Sequence, residues 1–251
     1  MSTPALATRA LDKRFGSVVA ARGIDLSLPS GARHALIGPN GAGKTTLINM
    51  ITGMLAPDGG QVFLGGHEIT ALAPDQRVKR GLARTFKINT LFPRLSPLEA
   101  TTLAVCERSG LAARWWKPLR ACRAEVDEAH EILRSLGLAS VCHRATHELP
   151  YGQQRLLEIA LALATRPRVL LLDEPAAGVP RDESVALFTA IAGLSVDLTV
   201  LFIEHDMDVV FRFASRVIVM VGGQVLVEGS PSEIAGDPRV AEIYLGGARR
   251  G

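Results

Sequence analysis

Nine residues limit what this chain can fold into more than any others do. Gly38-Pro39-Asn40-Gly41-Ala42-Gly43-Lys44-Thr45-Thr46 fits the pattern G-x-x-x-x-G-K-[ST]. The apolar run Ala35-Leu36-Ile37 before it reads as a buried strand, and residues 45–53 read as a helix stopped by Gly53 and Pro57. Strand, glycine-rich turn and helix in that order make a phosphate cradle. The glycines let backbone N–H groups curl around phosphate oxygens without side-chain clashes, and the helix N-terminus adds partial positive charge. Lys44 then supplies a cation for the β- and γ-phosphates, and the Thr45 hydroxyl suits Mg2+. The motif therefore predicts a nucleoside-triphosphate site.

Elsewhere short apolar runs alternate with helical patterns, as in an α/β fold with a largely parallel sheet. Residues 61–64 read as a strand entering the Gly65-Gly66 turn. Between about Phe86 and Thr165 the periodicity turns helical. Val126, Ala129, Leu133 and Leu136 share one helix face, and Leu156, Ile159, Ala160 and Leu163 share another. Strands return at residues 169–172, 199–203 and 217–221, and Gly222-Gly223 joins the last of these to residues 225–227 as a hairpin. The layout is an α/β core interrupted by a helical insert.

Two of these strands run into charge. Residues 169–172 end at Asp173-Glu174, which puts Asp173 near a phosphate-bound metal and Glu174 where it can polarise an attacking water. Residues 199–203 end at Glu204-His205-Asp206, at the sheet edge where α/β proteins bind ligands. His205 is expected to contact the γ-phosphate.

Composition narrows the class. The 251 residues, 47% hydrophobic and 21% charged, leave room for one α/β domain with a substantial insert and a buried core. The longest stretches free of Asp, Glu, Lys and Arg are 13 residues, 45–57 and 184–196. A membrane-spanning helix needs roughly 20 apolar residues. Residues 1–15 lack the apolar core and cleavage pattern of a secretory signal. Cys106, Cys122 and Cys142 form no C-x-x-C pair, and their odd number argues against a disulfide framework. A soluble protein of a reducing compartment is expected.

The net charge of +3 hides an uneven distribution. Residues 76–98 carry six basic side chains and no acid, and residues 108–124 carry five more and no acid. Such runs are either solvated faces or a surface for an anionic bilayer or an acidic partner. Trp115 and Trp116, inside the second run, suit a membrane-interface or protein-contact edge, or equally the cap of a helical core.

Leu149-Pro150-Tyr151-Gly152-Gln153-Gln154, shortly before Asp173-Glu174, resembles the signature sequence of ATP-binding cassette (ABC) ATPases. With the phosphate loop, the acidic pair and His205, the resemblance covers the whole chain in the family's order. It implies a P-loop NTPase (RecA-like) ABC ATPase core with antiparallel β elements and an inserted α-helical subdomain. Residues 1–85 and 166–235 would form the ATP-binding core, 86–165 the helical subdomain with the signature, and 236–251 a C-terminal tail. The resemblance also implies a head-to-tail pair of ATPase subunits with two ATPs between them. Each signature helix would offer its dipole and the Gly152 N–H to the partner's γ-phosphate. On this reading Asn40, Gly41, Ala42, Gly43, Lys44, Thr45 and Thr46 bind ATP, while Thr45 and Asp173 hold Mg2+. Glu174 and His205 are catalytic, and Tyr151, Gly152 and Gln153 complete the partner's site. Phe15 matches the aromatic that stacks on adenine, unless it is an ordinary core phenylalanine.

Several segments are similar to the branched-chain amino-acid importer ATPases: Ala83-Arg84-Thr85-Phe86, Leu91-Phe92-Pro93-Arg94-Leu95, Tyr151-Gly152-Gln153-Gln154-Arg155, Glu204-His205-Asp206-Met207 and Tyr244-Leu245-Gly246. The first two resemble the larger of that family's two ATPases. This implies ATP hydrolysis that powers import of branched-chain amino acids or a related small polar solute. It also implies a second ABC ATPase subunit, in a hetero- or homodimer, and two transmembrane permease subunits fed by a periplasmic or extracellular solute-binding protein. The chain would then lie peripherally on the cytoplasmic face of the cell membrane and dock through the basic helical insert. No nucleic acid is expected, because the insert is too short for the coiled coil of a DNA-maintenance ABC ATPase.

Three positions depart from the family. Lys87 stands at the Q-loop position, where a glutamine carbonyl would ligate Mg2+; an ammonium only donates. Pro150 replaces the signature serine, although proline suits a helix start. Val179-Pro180 replaces Leu-Asp or Leu-Asn, and Pro180 has no N–H to offer. One lost transition-state donor costs about 3 kcal/mol, roughly a hundredfold in rate. Glu174 and His205 remain, so hydrolysis is expected, slowed or asymmetric. The alternative is a nucleotide-binding regulatory or scaffold subunit.

Overall fold

A run such as Val169-Leu170-Leu171-Leu172 is apolar at every position, the mark of a strand covered on both faces. The structure, a computed structural model that describes residues 3–85, 91–111 and 122–245, buries it in that way. In chain order the elements are β1 (Leu6–Phe15), β2 (Val18–Leu28), β3 (Arg33–Ile37), α1 (Lys44–Thr52), β4 (Gly59–Leu64) and β5 (His67–Glu68). Next come α2 (Pro74–Lys79), β6 (Leu82–Arg84), α3 (Pro97–Arg108), α4 (Arg123–Ser135) and α5 (Tyr151–Ala164). The chain continues through β7 (Val169–Asp173), α6 (Arg181–Ala192), β8 (Thr199–Ile203), α7 (Met207–Phe213), β9 (Arg216–Val221), β10 (Gln224–Gly229), α8 (Pro231–Ala235) and α9 (Pro238–Leu245).

Two sheets form, in the orders β2-β1-β4-β5 and β10-β9-β3-β8-β7-β6. The first is antiparallel; the second is parallel except for the β9–β10 hairpin. Side chains alternate across a strand, and here the alternation feeds two cores. Ala35, Leu170, Leu172, Val200, Phe202, Val217 and Val219 face the helical side with α5 and α6. Leu36, Val169, Leu171, Leu201, Ile203, Ile218 and Met220 face α1 and the antiparallel sheet.

The long strands β1 and β2 escape a reading by periodicity. Arg9, Asp12, Lys13 and Arg14 interrupt their apolar positions, and their pairing carries register shifts between Thr8 and Arg14 that break the alternation. Helix α5 also differs from the single buried face expected. Arg155, Leu157 and Ala164 are buried along with Ile159 and Ala160, because α5 packs against α3, α4, α6 and β6 at once.

The basic runs are not continuous solvated faces. Arg77 is 2% exposed. It donates to Met50 O and Ile51 O at the end of α1, at 2.8 and 2.6 Å, and to Thr70 O and Leu72 O at 2.7 and 2.9 Å. Its charge thus sits where the α1 macrodipole is negative, although burial lowers its pKa. In the second run Arg108 is forked onto Glu128, both bonds 2.7 Å, and also reaches Ala164 O. Arg166 meets the same carboxylate at 2.9 and 3.0 Å, so one glutamate of α4 ties down α3 and the end of α5. Trp115 and Trp116 lie outside the described residues.

Arg77→Ala takes a charged donor away from four carbonyls and should lower the unfolding free energy by about 3 kcal/mol, as hydrogen bonds to a charged group would suggest; urea denaturation reads this. Hydrogen bonds from Arg108, then Arg166, hold the Glu128 carboxyl down to about 2. Because that lies below its unfolded value, the stabilisation is complete above about pH 5 and fades as the pH falls towards 2. Wild type should therefore lose about 2 kcal/mol more than Glu128→Gln between pH 5 and pH 2, and equal losses would remove this account.

Candidate nucleotide site

Strand β8 lies between β3 and β7, with Leu36 opposite Ile203 and Asp173 opposite Ile203. The phosphate loop after β3, the acids after β7 and His205 after β8 therefore gather at one sheet edge. The loop is pinned by its own backbone: Gly223 N–H donates to Ala42 O at 3.0 Å, and Arg22 N–H donates to Gly223 O at 2.8 Å. Gly38 and Gly43 have φ of 151° and 98°. A Cβ on Gly43 would stand 2.2 Å from Ala20 O, and one on Gly38 would stand 2.1 Å from Met220 O. Only glycine permits so close an approach. Lys44 is buried, its Nζ donating to Gly38 O at 2.6 Å and Pro39 O at 3.1 Å. Asn40, Gly41 and Thr45 are exposed at the loop surface; Ala42 is buried, and Thr46 is half-buried.

At the end of β7 the Asp173 carboxylate is 7% exposed and pairs with Arg84, itself 10% exposed, at 2.7 Å. Arg84 also donates to Asn49 Oδ1 of α1 at 2.6 Å. Glu174 has φ of +50°, an uncommon backbone conformation for a residue with a side chain, and its N–H donates to Ile203 O. Its Oε1 lies 2.8 Å from His205 Nε2, with side-chain exposures of 18% and 45%. Glu204 is buried beneath them and accepts from the N–H groups of Ala176 at 3.0 Å and His205 at 3.2 Å. Burial pushes its pKa up, against those two bonds, which pull it down. One carboxylate thereby braces both the turn after Glu174 and the backbone of His205.

Tyr151, Gly152 and Gln153 open α5 behind Pro150. The Gly152 N–H donates to Glu183 Oε2 at 3.2 Å, so a carboxylate of α6 caps this helix from outside it. Arg155 donates to the Tyr151 hydroxyl at 2.6 Å, and Gly178 approaches the Tyr151 ring closely enough that a Cβ would sit 3.3 Å from it. The signature position thus touches the segment that follows Glu174. Pro180 occupies the N-cap position of α6 just as Pro150 does for α5.

Phe15 is 51% exposed at the β1–β2 turn, with Lys13 Nζ 5.8 Å from its ring centre, and is not a core residue. Lys87, at the Q-loop position, lies outside the described residues. Sequence reasoning missed Arg84, Glu204 and Glu183 as parts of this neighbourhood. The signal for Arg84 and Glu204 was a charge closing an apolar strand, the same signal that exposed Asp173. Glu183 has no such mark.

The family model for the ABC transporter matches residues 21–177, more than half of the chain. The chain belongs to the ABC transporter ATP-binding family. Its members are ATPases coupled to transport, so the chain binds nucleotide. A second model, the branched-chain amino acid ATP-binding cassette transporter, matches residues 224–249. Among relatives, this ABC ATPase is 38% identical to the high-affinity branched-chain amino acid transport ATP-binding protein BraF of Pseudomonas aeruginosa, over 99% of this chain and 100% of that one. It is 37% identical to the corresponding LivG of Escherichia coli K12 over the same shares. Among solved structures, the ADP conformation of an ATP-binding cassette of an ABC transporter superposes with a TM-score of 0.84 at 33% identity, covering 98% of this chain and 100% of that one.

In this ABC ATPase a methyl group on Gly41 would meet open space, whereas one on Gly43 would meet the β2 backbone. Gly41→Ala should cost about 1–2 kcal/mol, the strain of its positive φ alone. Gly43→Ala should cost about 3 kcal/mol or more. Urea unfolding of the two variants gives the order.

Proposed function

We propose that the chain hydrolyses ATP as the larger-type cassette of an importer for branched-chain amino acids, acting peripherally on the cytoplasmic face of the cell membrane. The observation that carries hydrolysis is the Glu174–His205 contact of 2.8 Å at the edge occupied by the phosphate loop. Glu174 would take a proton from an attacking water. His205 orients that carboxylate and, being exposed, is free to reach the γ-phosphate. Asn40 to Thr46 would cradle the phosphates, Lys44 exchanging loop carbonyls for phosphate oxygens, and Phe15 would lie against adenine.

The Thr45 hydroxyl and Asp173 carboxylate are hard oxygen donors and fit Mg2+, which would neutralise phosphate charge when bound. Asp173 Oδ2 is engaged by Arg84, which leaves Oδ1 for that purpose. Among the described residues no cluster of three or more His, Cys, Asp or Glu side chains forms a metal site. Such an ion would therefore draw its other ligands from phosphate and water.

Among the described residues no helix is long and apolar enough to cross a membrane. The proposed partners are a second ABC ATPase subunit, in a hetero- or homodimer, and two transmembrane permease subunits supplied by a solute-binding protein. A cavity of about 230 Å3 lined by Val78, Ala83, Arg84, Leu91 and Leu161 supports permease docking there, beside the exposed Phe92. The branched-chain solute rests on the BraF and LivG relatives. One observation favours the scaffold alternative: Glu183 occupies the Gly152 amide that a partner's γ-phosphate would need.

Glu174→Gln should cut Mg2+-dependent ATP hydrolysis by at least about a hundredfold while nucleotide binding persists. Unchanged turnover in a complex with permeases would leave the scaffold reading. Proteoliposomes holding the paired cassettes and permeases, with the solute-binding protein, should accumulate labelled leucine only with ATP; ATP-driven uptake of other solutes alone would remove the solute assignment.

A further inference from the structure

We propose that Arg84 is a positioning residue that aims the Asp173 carboxylate towards the nucleotide's metal by bracing it against helix α1. The proposal rests on the reading that Asp173 faces that metal.

Arg84 ends β6, the edge strand beside β7, with its own Cα opposite Leu171. From there its guanidinium forks. Nη2 donates to Asp173 Oδ2 at 2.7 Å, and Nη1 donates to Asn49 Oδ1 at 2.6 Å. Asn49 belongs to α1, the helix that begins at Lys44 and carries the end of the phosphate loop. One planar group therefore fixes the distance between that helix and the acid at the end of β7. Both charges are almost fully buried. A buried ion pair is commonly no more stabilising than the apolar pair it displaces, so stability alone is a poor reason for this one. Direction is a better reason, because a guanidinium holds two acceptors in one plane and an ammonium cannot. With Oδ2 held, the rotation of the Asp173 carboxylate is fixed and Oδ1 alone is presented. Groups that orient a metal-facing carboxylate in this way are commonly worth about 10- to 100-fold in metal affinity.

Arg84 also lines the cavity with Val78, Leu91 and Leu161, and a second one of about 80 Å3 with Met54 and Leu82. The side chain that orients Asp173 is thus also part of the wall of the surface groove.

The test measures binding of a fluorescent ATP analogue to the full chain, with Mg2+ and with chelator, for wild type, Arg84→Met, Arg84→Lys, Asn49→Ala and Asp173→Asn. The readout is the gain in affinity that Mg2+ confers, and urea unfolding verifies that each variant is folded. Arg84→Met and Arg84→Lys should each lose about tenfold of that gain, with Mg2+-free affinity within about twofold of wild type, since neither touches the phosphate cradle. Asn49→Ala removes one prong and keeps the guanidinium, so it should lose part of the gain and add nothing to Arg84→Lys. It also carries the test if Arg84→Met fails to fold. An undiminished gain in folded Arg84→Lys or Asn49→Ala overturns the proposal. If Asp173→Asn loses the gain while those variants keep it, only Arg84's role falls. If wild type shows no gain, or Asp173→Asn keeps it, the metal reading of Asp173 falls and takes the proposal with it.

Discussion

The pairing of β8 with β3 on one side and β7 on the other sets Ile37, Ile203 and Asp173 along a single sheet edge. Parallel strands in register end together, so the three turns that follow them converge without long loops. The phosphate loop, the acidic pair and His205 are neighbours for that reason. The backbone contacts that pin the loop from β2 and the β9–β10 turn then hold it at fixed depth, and two glycines allow those contacts. Without the shared edge, none of the side chains named here would meet.

The charges around this edge are organised from beneath. Arg77 closes the far end of α1, Arg84 braces Asp173, and Glu204 holds the amides of Ala176 and His205. Each is buried or nearly so, and each is satisfied by groups from other elements, as buried charges have to be. They act on the residues proposed to face the nucleotide without standing among them. Glu183 does the same for the signature helix, supplying a cap that Pro150 cannot.

Much of this is legible in the amino-acid order alone. The phosphate loop, the two apolar strands with charged ends and the Gly222-Gly223 hairpin all declare themselves through local pattern, because their physics is local. Gly53 ends α1 in the left-handed conformation expected of it. Strands β1 and β2 are not readable from periodicity, since bulges and outward charges spoil the period. The basic runs mislead for a different reason. Arg77 and Arg84 look like surface residues by type, and only the carbonyls of α1 and the carboxylate of β7, distant in sequence, reveal that they are internal. Tertiary partners of single charges leave no spacing signature. Phe15 reads equally as a core residue until its exposure at the β1–β2 turn is known.

The even division of side chains between two cores bears on how such a chain can change over generations. In β7, Leu170 and Leu172 belong to one core and Val169 and Leu171 to the other. Substituting one aliphatic residue for another leaves that division intact. Gaining or losing a single codon inside the strand would send every later side chain to the opposite layer and pull Asp173 off its edge. Lineages of this protein are therefore free to drift in the identity of their core residues, whereas changes of length are confined to the connections between strands.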